Sequence, residues 1–146
     1  MKRIILALLI IPFIFSCFKK DVDVRDQYVG TWKYNVTGGI NTYNGSQILE
    51  SFPLINDGSL TIAKSGENGL LIDKKEFTLQ GDQLTTDPDQ IELISPGQAF
   101  IIATAKIISG KVTATKITHT SSLTGTWTFG NSRGPLSGEL LVTLTR

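Results

Sequence analysis

The strongest constraint on this chain is its punctuation. Turn-forming clusters recur at Gly38-Gly39, Asn44-Gly45, Asn56-Asp57-Gly58, Gly66-Glu67-Asn68-Gly69, Gly81-Asp82, Asp87-Pro88-Asp89, Pro96-Gly97, Ser109-Gly110 and Gly130-Asn131. Gly and Asn tolerate the positive φ of tight hairpins and Pro presets φ for a turn, so such clusters predict many short runs. No run between them carries a sustained stripe at helical spacing. They alternate instead: Ala99, Ile101, Ala103, Ala105 and Ile107 interleave with Ile102, Thr104, Lys106 and Ile108, and Leu140, Val142 and Leu144 with Glu139, Leu141, Thr143 and Thr145. Successive side chains of a strand point to opposite faces, so each run offers one face to a core. Leu60-Thr61-Ile62-Ala63 and Phe77-Thr78-Leu79-Gln80 are shorter examples, and Leu70-Leu71-Ile72 suits burial on both sides. The expectation is one all-β, antiparallel domain over residues 28–146, with a closed barrel and a β-sandwich both compatible.

The N-terminus follows a different grammar. Lys2 and Arg3 precede an apolar run over residues 4–15 that Pro12 interrupts. That run falls short of the about 20 residues a helix needs to cross a bilayer, and a cationic start, a short apolar stretch and the small Ser16 match an export signal. Ile14-Phe15-Ser16-Cys17 resembles the lipobox of bacterial lipoproteins. The resemblance implies removal of the signal peptide 1–16, acylation of Cys17 by palmitate-like chains, and a lipid anchor at the outer membrane or cell surface, the periplasmic face being the alternative. A thiolate is the strong side-chain nucleophile near neutral pH, so acylation can be directed to one atom. Each buried methylene then adds about 0.8 kcal/mol of membrane affinity, and lasting attachment takes more than one chain. Residues 17–27, rich in Lys19, Lys20, Asp21, Asp23, Arg25 and Asp26, read as a lipidated, solvated tether.

Charge and chemistry narrow the function. Losing Lys2 and Arg3 from 14 cations leaves 12 against 13 acidic groups, a mature charge of −1. A nucleic-acid groove needs a concentrated basic excess, so no nucleic acid is implied. Cys17 is the single Cys, which forbids an intrachain disulfide and leaves burial and backbone pairing to hold the fold. His119 is the single His; Ser121 and Ser122 are near it, but no acid or oxyanion hole accompanies them, and it reads as an exposed strand-end residue. Asp87, Asp89 and Glu92 lack the Gly and the ligand count of a calcium loop. The expectation is a protein without enzymatic activity, cofactor or metal.

Gly30-Thr31-Trp32, preceded by Tyr28 and Val29, resembles the entry motif of the calycins, the group of lipocalins, fatty-acid-binding proteins and avidins. That resemblance implies an up-and-down lipocalin-like barrel of about 8 strands. Gly30 would permit a tight entry, Trp32 would close one end, and a basic side chain from the last strand would cover the indole; Arg146 is the Arg at that end, and its place as the final residue departs from the family pattern. Thr124-Gly125-Thr126-Trp127 repeats the motif, and closure of the sheet would bring the two side by side. Strand facing nominates Tyr34, Phe52, Phe100 and Trp127 as the lining for a small, partly apolar ligand. The competing reading is a non-enzymatic interaction module with a filled core, docking on an envelope protein through loops or an edge strand.

Overall fold

Residues 22–146 are described by a computed structural model; the expected signal segment and Cys17 lie outside them. A 3₁₀ turn at Val24–Gln27 leads into nine strands: β1 (Gly30–Asn44), β2 (Gln47–Ser65), β3 (Gly69–Ile72), β4 (Lys75–Gln80), β5 (Gln83–Thr85), β6 (Asp89–Ile94), β7 (Phe100–Val112), β8 (Lys116–Phe129) and β9 (Ser132–Thr145). They form one antiparallel sheet in the order β5-β4-β3-β2-β1-β9-β8-β7-β6, and an added β5–β7 pairing closes it into a ring. The fold is therefore all-β and barrel-like. The ring itself uses eight strands, while β6 pairs with β7 and stands outside the closure.

Several strands are longer than the punctuation predicts, because three of the expected turns are not turns. Gly38-Gly39 lies inside β1, Asn56-Asp57-Gly58 inside β2, and Ser109-Gly110 inside β7. These glycines serve close approach rather than chain reversal. A Cβ on Gly38 would collide with the carbonyl of Glu139, one on Gly58 would sit 2.9 Å from the Tyr34 ring, and one on Gly110 would sit 2.6 Å from the Leu84 carbonyl oxygen. Gly45 and Gly130, by contrast, adopt positive φ in the tight β1–β2 and β8–β9 connections, as expected.

The interior divides into two stacked cores. The lower one, at the end bearing Val24–Gln27, gathers Trp32, Ile62, Leu70, Leu84, Ile117 and Leu144 with other residues of the short strands. The upper one gathers Ile40, Phe52, Ile101, Ala103, Leu123, Trp127 and Leu136. Register explains the difference between them. Around the lower core β3, β4 and β5 complete the ring, with Gln83 opposite Lys111 as the single closing pair. Around the upper core no strand of the described residues lies between β2 and β6, because β3 pairs with β2 only from Ile62 to Ser65. A seam therefore runs up one side of the upper half.

Candidate functional site

The lower end is fastened by the chain that enters it. Trp32 is fully buried, and its indole N–H donates to the Tyr28 carbonyl at 2.7 Å. Arg146 lies over the indole, 5.8 Å from the ring centroid, and its guanidinium donates to the carbonyls of Gln27 at 2.7 Å and Val29 at 2.8 Å. Gly30 has φ +132°, and a Cβ there would come within 3.0 Å of the Arg146 guanidinium, so this approach favours glycine. Gly30, Trp32 and Arg146 thus meet at the lower end.

The end of the supposed tether is part of this closure. Asp23 caps the 3₁₀ turn by accepting from the Arg25 amide at 2.9 Å, and it also accepts from the Arg25 side chain at 3.0 and 2.8 Å. Arg25 reaches onward to the carbonyls of Ser65 and Gly66 at 3.3 and 2.8 Å, and Lys64 bridges to both Asp23 and Asp26. Arg25 holds the Asp23 carboxyl well below the usual carboxylate range. Composition alone reads these charges as solvation; three-dimensional pairing across the β2–β3 hairpin turns Asp23–Gln27 into a clasp.

The second motif plugs the other end. Trp127 lies near the top of β8, and its indole donates to the Tyr43 carbonyl at 2.9 Å. The two Gly-Thr-Trp segments are therefore not neighbours: Gly30 opens β1 at the bottom, Gly125 lies late in β8, and β9 runs between the strands. The expected ligand residues do not share a cavity. Tyr34 packs on the lower core, whereas Phe52 and Trp127 belong to the upper one. Phe100 lies on the outer face of β7, 44% exposed, because the inward series is Ile101 and Ala103. A depression of about 830 Å³ lies on the outside across β2, β1 and β9, floored by Gly39 and rimmed by Thr37, Asn41, Ser51, Pro53 and Glu139. Of the four expected residues only Phe52 borders it.

His119 also differs from its expectation. It sits inside β8, opposite Val142 and Gly110, with its ring 6.3 Å from that of Phe77. Burial, with the Lys75 ammonium acting in the same direction, lowers its pKa to about 4. Ser121 Oγ is 3.4 Å from Nδ1. Among the described residues no carboxylate joins this pair, and Lys75 is engaged by Asp89 at 2.9 Å. The described residues contain no group of three or more potential metal ligands and no helix long and apolar enough to cross a membrane.

Among the described residues, the seam leaves the edge of β2 above Ile62 without a paired strand. The Thr61 carbonyl points away from β1 and accepts from the Asp73 amide at 3.2 Å. Backbone direction repeats every second residue, so Ser51, Pro53, Ile55, Asp57 and Ser59 turn the same way, into the seam. Pro53, which has no N–H to lose, fits such an edge. Beneath the seam Leu54 of β2 and Ile91 and Leu93 of β6 are partly buried against one core. At the top Glu50 reaches across, accepting from the Gly97 amide at 3.0 Å. Both edges are acidic: residues 47–63 carry Glu50 and Asp57, residues 86–100 carry Asp87, Asp89 and Glu92, and neither stretch holds a Lys or Arg. Ile48, Leu49, Ile94, Phe100 and Phe129 are exposed apolar side chains beside the three upper connections. Pro53 within an apolar run, and the missing cations, were signals of this edge in the sequence. No protein-family model and no curated protein matches this chain.

Proposed function

We propose that this protein is a non-enzymatic interaction module of the cell envelope, anchored through lipidated Cys17, that presents the open half of its barrel to a protein partner. The observation that carries this reading is the filled interior: one indole plugs the lower end, another the upper, and the residues suited to line a calyx are divided between two cores and the outer surface. A small-ligand binder needs a concave apolar space with a few convergent polar groups, and Tyr34, Phe52, Phe100 and Trp127 do not make one. The anchor rests on the lipobox resemblance. From Cys17 to the clasped Asp23 an extended chain reaches at most about 20 Å, which keeps the fastened end close to the bilayer and turns the seam and apolar rim outward.

Native mass spectrometry of the full protein purified from bacterial envelopes tests the filled-core reading. The expected result is the bare lipoprotein mass, with no thermal shift across lipids and small aromatic compounds. A stoichiometric small molecule retained through purification would instead establish ligand sequestration. For the anchor, Cys17→Ser is expected to move the protein into the soluble fraction, and membrane retention of that variant would contradict it.

A further inference from the structure

We infer that the seam between β2 and β6 is a strand-addition site for an extended, basic segment of a partner protein. This deepens the interaction-module reading and rests on it. Unpaired backbone is a template for another strand. β2 offers the carbonyls of Ser51, Pro53, Ile55, Asp57 and Ser59, and the amides of all of these but Pro53, along an edge that no strand of the described chain covers. Across the gap, the outer edge of β6 is likewise not covered by any strand of the described residues. β2 and β6 run in opposite directions, so one inserted strand lies antiparallel to the longer β2 edge and parallel to β6.

Side chains specify the occupant. Alternate residues of the incoming strand face inward onto Leu54, Ile91 and Leu93, which are only partly buried now, and these positions call for aliphatic groups. The intervening residues face outward beside Asp57 and Glu92, both exposed and on the outer face of their strands. No cation on either edge offsets them, so Lys or Arg belongs at the outward positions. A second copy of this chain is a poor occupant: its edges carry the same negative charge, and like charges facing each other across paired strands repel. Acidic side chains at the edge therefore both discourage self-pairing and select a partner of opposite sign.

The test uses the full-length protein in detergent and a synthetic ten-residue probe of alternating Lys and Val, with alternating Glu and Val as control. Residue-resolved amide hydrogen exchange reads the site, and titration reads the affinity. The expected result is binding of the Lys-Val probe alone, with slowed exchange at Ile55, Asp57 and Ser59. Binding weakens as salt rises, and it falls about tenfold in the surface double variant Asp57→Lys/Glu92→Lys, whose melting temperature stays near that of the parent. Failure of the Lys-Val probe to bind, protection mapping elsewhere, or affinity unchanged by the double variant would overturn the assignment. So would a homodimer in sedimentation paired along β2. The broader reading falls only on the mass-spectrometric result above, so the two failures are distinguishable.

Discussion

The two halves of this barrel are built from the same long strands yet finished in opposite ways. Below, three short strands complete the ring, an indole fills the axis, and Asp23, Arg25, Asp26, Lys64 and Arg146 fasten the entering chain over it. Above, the ring is left open along β2 and β6, only Glu50 and Arg133 carry charge among residues 44–50, 94–100 and 129–133, and apolar side chains stand exposed. Every backbone group of a closed sheet has a partner, whereas an open edge must be tolerated or used. The contrast separates a half that fastens the fold from a half that leaves an edge free, where the proposed partner would pair.

Equivalent damage to the two halves therefore has unequal expected consequences. Trp32→Ala removes a fully enclosed indole and is expected to destabilise by about 3–5 kcal/mol, read from the denaturation midpoint. Trp127→Ala is expected to cost less, about 2–3 kcal/mol, because the upper half can relax into its seam. Equal losses would break the comparison.

His119 sits where the two cores meet and gives a pH-dependent probe of their junction. Its pKa is about 4 when folded against an ordinary 6.5, so below pH 6.5 the unfolded chain takes up a proton that the folded one refuses. Stability is thus full above pH 6.5 and falls as pH drops toward 4, by up to about 3 kcal/mol. His119→Gln removes that slope while leaving the acid unfolding of carboxylates in place. A parent and variant with parallel stability curves between pH 6.5 and 4 would show that His119 is solvated.

A smaller effect sharpens the account of the lower end. Arg146→Ala removes a cation over Trp32 and two hydrogen bonds to carbonyls and is expected to cost about 1 kcal/mol, with faster amide exchange confined to residues 25–32. Loss spread evenly over both halves would contradict its local role.

How much of this was legible beforehand depended on the range of the interaction. Period-2 alternation in Ala99–Ile107 and Leu140–Leu144 reports burial on one face, a local property, and those faces are where alternation put them. Gly30 and Trp32 stand out because they are close in sequence, whereas Arg146 reaches the indole from the far end of the chain. Gly38, Gly58 and Gly110 misled, since a glycine needed for close approach to a neighbouring strand looks the same in sequence as one needed for a turn. His119 and Arg25 misled for a related reason: their surroundings come from Phe77 and Lys75 in one case and from Ser65 and Gly66 in the other, distant in sequence. Phe100 lies outside for a local reason, its alternation with the inward Ile101 and Ala103. The seam is a property of pairing order, and only its acidic composition and Pro53 hinted at it.

Amide hydrogen exchange along β2 in the free protein tests the open-half claim most directly, because one strand passes through both environments. The account predicts rapid exchange at Ser51, Ile55, Asp57 and Ser59, which face the seam, and slow exchange at Ala63 and Ser65, where β3 covers the same edge. Uniform protection from Ser51 to Ser65 would mean that the seam is closed in solution and that this half of the barrel has no free edge to offer.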